Sequence, residues 1–97
     1  MKLIVAPEAQ EELREIESYI GKDNPKAAVE FVGRLTERYQ ALTDFPGMGR
    51  KRDDVRSGYR SIAEGDYLIF YRVSDDVVEV MHVLHGRRNL QRIFEQE

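Results

Sequence analysis

The sequence predicts an α+β fold: an N-terminal strand, then an antiparallel helical hairpin packed on one face of a three- to four-stranded, mainly antiparallel sheet. Three observations predict it. Two long segments, from Pro7 to Gly21 and from Pro25 to Leu42, repeat apolar residues at helical spacing across a short link. Three later segments are rich in β-prone residues and are joined by the turns "EGD" and "SDD". The helices precede the strands as a group, the order of an α+β layer and not of alternating βαβ units.

"KLIVA" reads as a short strand. Pro7 follows and suits the first helical position, where its missing N–H costs nothing. Ala9, Leu13, Ile16 and Ile20 share one face of that helix. Glu8, Glu11, Glu12 and Glu15 fall in its first turns, where the helix dipole favours negative charge. Gly21 is the expected C-terminal stop. In "KDNPKAAVEF" Asn24 can cap the second helix and Pro25 can begin it. Ala28, Phe31, Val32, Leu35, Tyr39 and Leu42 continue the apolar stripe for about five turns. So short a link makes the helices antiparallel. "FPGMGRKRDD" then breaks the pattern as an irregular loop with a basic tip.

"GYRSIA" is the first strand of the meander. "YLIFYRV" is nearly all apolar and is the expected central strand, with Arg72 paired to a carboxylate. "VVEVMHVLH" is the third. The tail "NLQRIFEQE" fits one or two final helical turns, with Leu90, Ile93 and Phe94 on one side. Tyr67, Phe70 and Tyr71 are expected in the core, and so are Tyr19, Phe31 and Tyr39 on the helical stripes.

A chain of 97 residues makes one domain, 1–97. The absence of cysteine excludes disulfides and thiolate metal sites and fits a reducing compartment. The N-terminal apolar run, Leu3 to Ala6, is too short for a signal peptide or a membrane span. A cytoplasmic protein with no membrane association is the expectation. Net charge is −3, but it is unevenly spread. Residues 8–23 hold Glu8, Glu11, Glu12, Glu15, Glu17 and Asp23 against Arg14 and Lys22. Residues 50–60 hold Arg50, Lys51, Arg52, Arg56 and Arg60 against Asp53 and Asp54, and Arg87, Arg88 and Arg92 follow. Mild net acidity argues against indiscriminate nucleic-acid binding and leaves room for a local phosphate site.

The densest cluster of candidate chemistry is "HVLHGRRN", residues 82–89. In a regular strand His82 and His85 point to opposite faces, so they cannot share a metal without a bulge. No third ligand stands at metal spacing, and neither a metal nor a cofactor is expected. His82 shares a face with Val78, Val80 and Leu84 in such a strand and reads as a packed, hydrogen-bonded residue. His85 reads either as a hydrogen bond at the strand terminus or as a contact to a partner or phosphate. Arg60 reads either as a strand-edge residue or as part of a cationic site. No serine or cysteine nucleophile motif is present, and "GMGRK" is too short to cradle a phosphate.

"PEAQEELREIESYI", "NPKAAVEFV", "FPGMGR", "VRSGYRSI", "YLIFYRV" and "VLHGRRN" occur in this order. Together they resemble the ParE/RelE superfamily of toxins from bacterial type II toxin–antitoxin modules, the ParE branch most closely. The resemblance runs from about residue 3 to about residue 90. It implies a small cytoplasmic toxin in a hetero-oligomer with a cognate antitoxin, ParD- or RelB-like, that wraps it with an amphipathic helix and an extended segment. The ParE branch implies inhibition of DNA gyrase and stalled replication. The RelE branch implies cleavage of mRNA on the ribosome.

RNA cleavage by 2′-OH attack needs a base, cations for the phosphate and an acid for the leaving oxygen. Carried over from the RelE pattern, the loop cations fall on Arg50 to Arg52 and the strand arginines on Arg60 and Arg88. The tyrosine position falls on Phe94, which has no proton to give. An endoribonuclease reading would rest on Lys51, Arg60, His85 and Arg88. A binding toxin would instead use Arg50, Lys51, Arg52, Arg56, Arg60, His85, Arg87 and Arg88 as a basic rim for its target. Net acidity favours the second, because a ribosome-acting protein gains from long-range attraction to phosphate.

Overall fold

The computed structural model describes residues 1–96. Strand β1 (Lys2–Val5) leads into α1 (Pro7–Asp23) and α2 (Pro25–Asp44). Then come β2 (Arg50–Lys51), β3 (Arg60–Glu64), β4 (Tyr67–Ser74), β5 (Val77–His85) and α3 (Leu90–Glu95). The strands form one sheet in the order β1-β5-β4-β3-β2. β1 runs parallel to β5 and the other neighbours are antiparallel. The expected α+β architecture is present, with one strand more than expected: the basic loop tip pairs Arg50 and Lys51 with Ser61 and Arg60 as β2.

The helical hairpin turns where the chain chemistry demands it. Asn24 adopts extended angles (φ −154°, ψ 91°), the region preferred before a proline, and its side chain accepts the Ala27 N–H. Gly21 is not the stop; α1 runs on to Asp23. A Cβ at Gly21 would lie 3.7 Å from the Ala28 Cβ, an ordinary contact, so the hairpin has room for a side chain there. Both meander turns use left-handed residues, Gly65 (φ 59°) and Asp75 (φ 52°).

One face of the sheet packs on the hairpin. Ala9, Phe31, Leu35, Tyr39 and Leu42 meet Ile69, Tyr71, Val78, Val80 and Val83 there. On the opposite face α3 closes a smaller core of Tyr59, Phe70, Leu84 and Phe94. Arg72 pairs with Glu79 at 2.8 Å, as expected of a charged residue on the central strand. Tyr19 departs from expectation: it is 72% exposed, on the shoulder of α1 outside the buried stripe.

A bulge in β5 corrects the placement of His82. Phe70 is opposite His82 while Tyr71 is opposite Val80, so the register slips by one residue. Val78 and Val80 face the hairpin, whereas His82 and Leu84 face α3. The two histidines still lie on opposite sides, His82 against Phe94 and His85 against Tyr67.

Candidate docking grooves and their cations

The bulge falls where β1 ends. β1 covers β5 only as far as Val80, which accepts the Ala6 N–H. Beyond it the edge of β5 would be bare. Glu12 of α1 fills the gap: its carboxylate accepts the Val83 N–H at 3.0 Å and the His82 Nδ1–H at 3.0 Å. A side chain thus stands in for a strand. Sequence reasoning placed Glu12 among the dipole-favouring acids and missed this role. The signal was present, because Glu12 lies three residues after Ala9 and four before Ile16, within the buried stripe. Tyr39 packs nearby with a buried hydroxyl that pairs with no group among the described residues. Burial, and then the Glu12 charge, pushes its pKa up to about 12.

Above this junction α1 and the sheet diverge into an open groove of about 340 Å³, walled by Ile16, Tyr19, Tyr67, Val83, His85 and Arg88. A second groove of about 630 Å³ continues from it past Phe31 and Arg34 to the β3–β4 turn. Tyr19, Tyr67 and His85 border both. The His85 ring meets Tyr67 edge-on at 5.2 Å, and its Nδ1 accepts the Arg87 N–H at 3.0 Å. That bond fixes the turn after β5 and places the ring proton on Nε2. Burial, followed by the influence of Tyr19 and Asp66, raises the pKa of Tyr67.

The predicted cations divide into held and free. Arg52 is buried: it donates to Ser61 Oγ at 3.2 Å and to Asp54 at 3.1 Å, and it lies over the Phe70 ring. Its hydrogen bond holds the Asp54 carboxyl below the usual carboxylate range. Arg56 donates to the Phe94 carbonyl and so fastens α3. Arg60 donates to the Gly49 carbonyl at 2.7 Å and braces the loop before β2. Tyr71 clamps the same loop, donating to Pro46 O at 2.7 Å and accepting from the Gly49 N–H at 2.9 Å. Burial raises the Tyr71 pKa, against the opposing pull of the Gly49 N–H and Arg60. The side chains of Arg50, Lys51, Arg87 and Arg88 are exposed, with no hydrogen bond or ion pair among the described residues.

The free cations occupy two corners. Lys51 is opposite Arg60, Arg60 opposite Tyr71, and His85 opposite Tyr67. Arg60 and His85 are therefore separated by four residues along β4, roughly 13 Å, and by two strand spacings, roughly 10 Å. Arg50 and Lys51 also differ in face, since paired residues share one: Arg50 goes with Ser61 and Phe70, Lys51 with Arg60 and Tyr71. The register does not bring Lys51, Arg60, His85 and Arg88 to one point. Phe94, at the carried-over tyrosine position, is buried against Tyr59 and Phe70. No group of three or more metal-ligating side chains is assembled among the described residues.

The chain thus carries open, aromatic-walled grooves beside exposed cations, concavities of a shape that suits a helix or strand. The sequence comparisons give it a family. Residues 3–90 match the family model described as the ParE toxin of the type II toxin–antitoxin system parDE, and the chain belongs to that family. The toxin ParE1 of Mycobacterium tuberculosis H37Rv is 29% identical over 93 residues, covering 94% of this chain and 95% of its own. The toxin ParE1 of Caulobacter vibrioides is 36% identical over 62 residues, 64% of each chain. A solved structure of the chromosomal ParDE system from P. aeruginosa has the same fold: TM-score 0.77 at 18% identity, over 88% of this chain and 95% of that one.

Proposed function

We propose that this toxin acts in the cytoplasm by binding DNA gyrase and carries out no cleavage of its own. The separation of its cations is the observation that supports this reading most. Phosphodiester cleavage needs a base, an acid and phosphate-binding cations within hydrogen-bond reach of one ribose phosphate. Here Lys51 and Arg60 lie at one corner of the sheet and His85 and Arg88 at another, and Arg60 is engaged with a loop carbonyl. Two separated basic corners suit an extended protein surface, where charge sets orientation and encounter rate. The net charge of −3 fits the same reading.

A cognate antitoxin would neutralise the toxin by laying the apolar face of an amphipathic helix into the groove between α1 and the sheet. Tyr19, exposed at its rim, and Tyr67 in its wall would supply aromatic contacts to such a helix. An extended segment would continue toward Phe31 and Arg34.

The test is a pair of assays on the purified chain. Gyrase supercoiling should be blocked, or cleaved DNA trapped, at micromolar toxin, while mRNA in a translating extract stays intact. Codon-dependent mRNA cuts that vanish in Arg60→Ala, with gyrase unaffected, would overturn the proposal in favour of a RelE-like endoribonuclease.

A further inference from the structure

Strand β2 is short and leaves part of β3 uncovered. The Arg52 N–H donates at 2.8 Å to the carbonyl of Tyr59, its partner by continuation of the register. That sets the phase of β3: Ser61 and Ala63 turn their backbone groups toward the β2 side, while Arg60, Ile62 and Glu64 turn theirs toward β4. Ser61 is met by Arg50. Ala63 is exposed, and no group among the described residues bonds its N–H or C=O. Met48 would come opposite it, but the Met48 N–H donates to the Phe45 carbonyl and the chain has turned away. A pocket of about 460 Å³ opens in the gap, with apolar walls from Met48 and Leu68 and with Arg38 and Arg50 at its lining. Charge there is unbalanced. Arg34 and Arg38 share one carboxylate, Glu64. Arg52 is matched by Asp54, and Arg50 has no ion pair among the described residues.

We propose that this pocket takes the C-terminal carboxylate of the antitoxin. The proposal rests on the seating of that partner between α1 and the sheet. The edge has room for one paired residue before β2 blocks it. A segment antiparallel to β3 runs C-terminally toward Arg50, as β2 itself does. Its last residue, opposite Ala63, would donate its N–H to the Ala63 carbonyl and accept the Ala63 N–H with its carboxylate. Arg38 and Arg50 would face the negative charge, the capture of a chain end by backbone groups and cations. A parallel segment would bring a positive amino terminus to the same arginines, so charge chooses the direction. A free inorganic anion fits less well, because it would lie against the unpaired Ala63 carbonyl. The path to the pocket is continuous. Arg34 lines the groove beside Phe31, Arg38 lies one turn further along α2, and Glu64 bonds both. A chain end seated here would also cover Arg50, one of the cations proposed for gyrase.

Titration calorimetry of this chain against its cognate antitoxin tests the proposal. The antitoxin is used in two forms, one with a free C-terminal carboxylate and one made by semi-synthesis as the carboxamide. The amide should bind at least roughly tenfold more weakly. Arg38→Ala and Arg50→Ala should each weaken the free acid by a similar factor and the amide much less. Both arginines are exposed at least in part, and circular dichroism melts will confirm that the variants fold. Equal affinity of acid and amide would overturn the proposal. So would arginine variants that weaken both forms alike, which would place some other acidic group of the partner in the pocket. Tyr19→Ala reports on the groove separately and should weaken both forms by the same factor. If it changes neither while acid and amide still differ, the groove reading fails and the pocket stands. An antitoxin that binds in neither form would overturn both.

Discussion

Replacing Glu12 by alanine should uncouple α1 from β5. The Val83 N–H is buried, with Val83 1% exposed, and its acceptor is the Glu12 carboxylate. Leaving such a donor unmatched costs about 1–3 kcal/mol, and the bond lost from His82 adds about 1. The sum, about 2–4 kcal/mol, is a large part of the roughly 5–15 kcal/mol that holds a small domain together. It corresponds to a fall in Tm of roughly 10–25 °C for a chain of this length. Glu12→Gln keeps one acceptor oxygen and should cost only about 1 kcal/mol. Urea denaturation gives the free energies, and amide exchange gives the location. The Val83 amide should exchange slowly in the native chain and by local opening in Glu12→Ala. If Glu12→Ala lies within about 0.5 kcal/mol of the parent and Val83 stays protected, the carboxylate is not standing in for a strand.

Four further outcomes follow from the same geometry. Tyr39 ionises near 10 when unfolded but at about 12 in the fold, so the fold holds that proton more tightly. Its contribution is complete below about pH 10 and is lost as pH rises toward 12, at most about 2–3 kcal/mol before solvent screening. Tyr39→Phe should remove that alkaline slope and match or exceed the parent in stability at pH 7, as denaturation at both pH values will show. Gly49→Ala should cost about 1–3 kcal/mol in the same experiment, because its Cβ would fall 2.5 Å from the Tyr71 hydroxyl and 3.0 Å from the Ser61 carbonyl. Arg87→Glu with Arg88→Glu should leave Tm nearly unchanged and lower gyrase inhibition at least roughly tenfold, whereas Arg52→Ala should lower Tm by stripping a partner from buried Ser61 and a cover from Phe70.

What the sequence revealed and what it hid follow one physical division. Local rules placed the helices, because capping and proline geometry act within a few residues: Asn24 and Pro25 make the hairpin turn, and Asn89 caps α3 through the Arg92 N–H. β-prone composition and short turns placed the meander for the same reason. The misplacements are long-range. The face of His82 depends on a bulge that only pairing with β4 creates. Arg50 and Lys51 become a strand only because Ser61 and Arg60 lie opposite. Burial of Arg52 rests on Phe70, eighteen positions away, and the role of Glu12 on Val83, separated from it by most of the chain.

The same division bears on reading function from a resemblance. Position-by-position transfer treats every arginine in the pattern as available to a target, and the hydrogen bonds say otherwise. Arg52, Arg56 and Arg60 each spend donors on the fold: on the sheet, on α3 and on the loop clamp. A guanidinium already bonded to a carbonyl or carboxylate must give up that bond before it can grip phosphate, and burial of Arg52 raises the penalty. Arg50, Lys51, Arg87 and Arg88 carry no such prior commitment among the described residues. Selection for target contact would therefore act on four cations at two corners, and selection for folding on the other three. Substituting the first group should change inhibition at constant stability; substituting the second should change inhibition only as far as it changes stability. A variant of Arg60 that folds with native stability, keeps the loop in place and still fails to inhibit gyrase would break that partition.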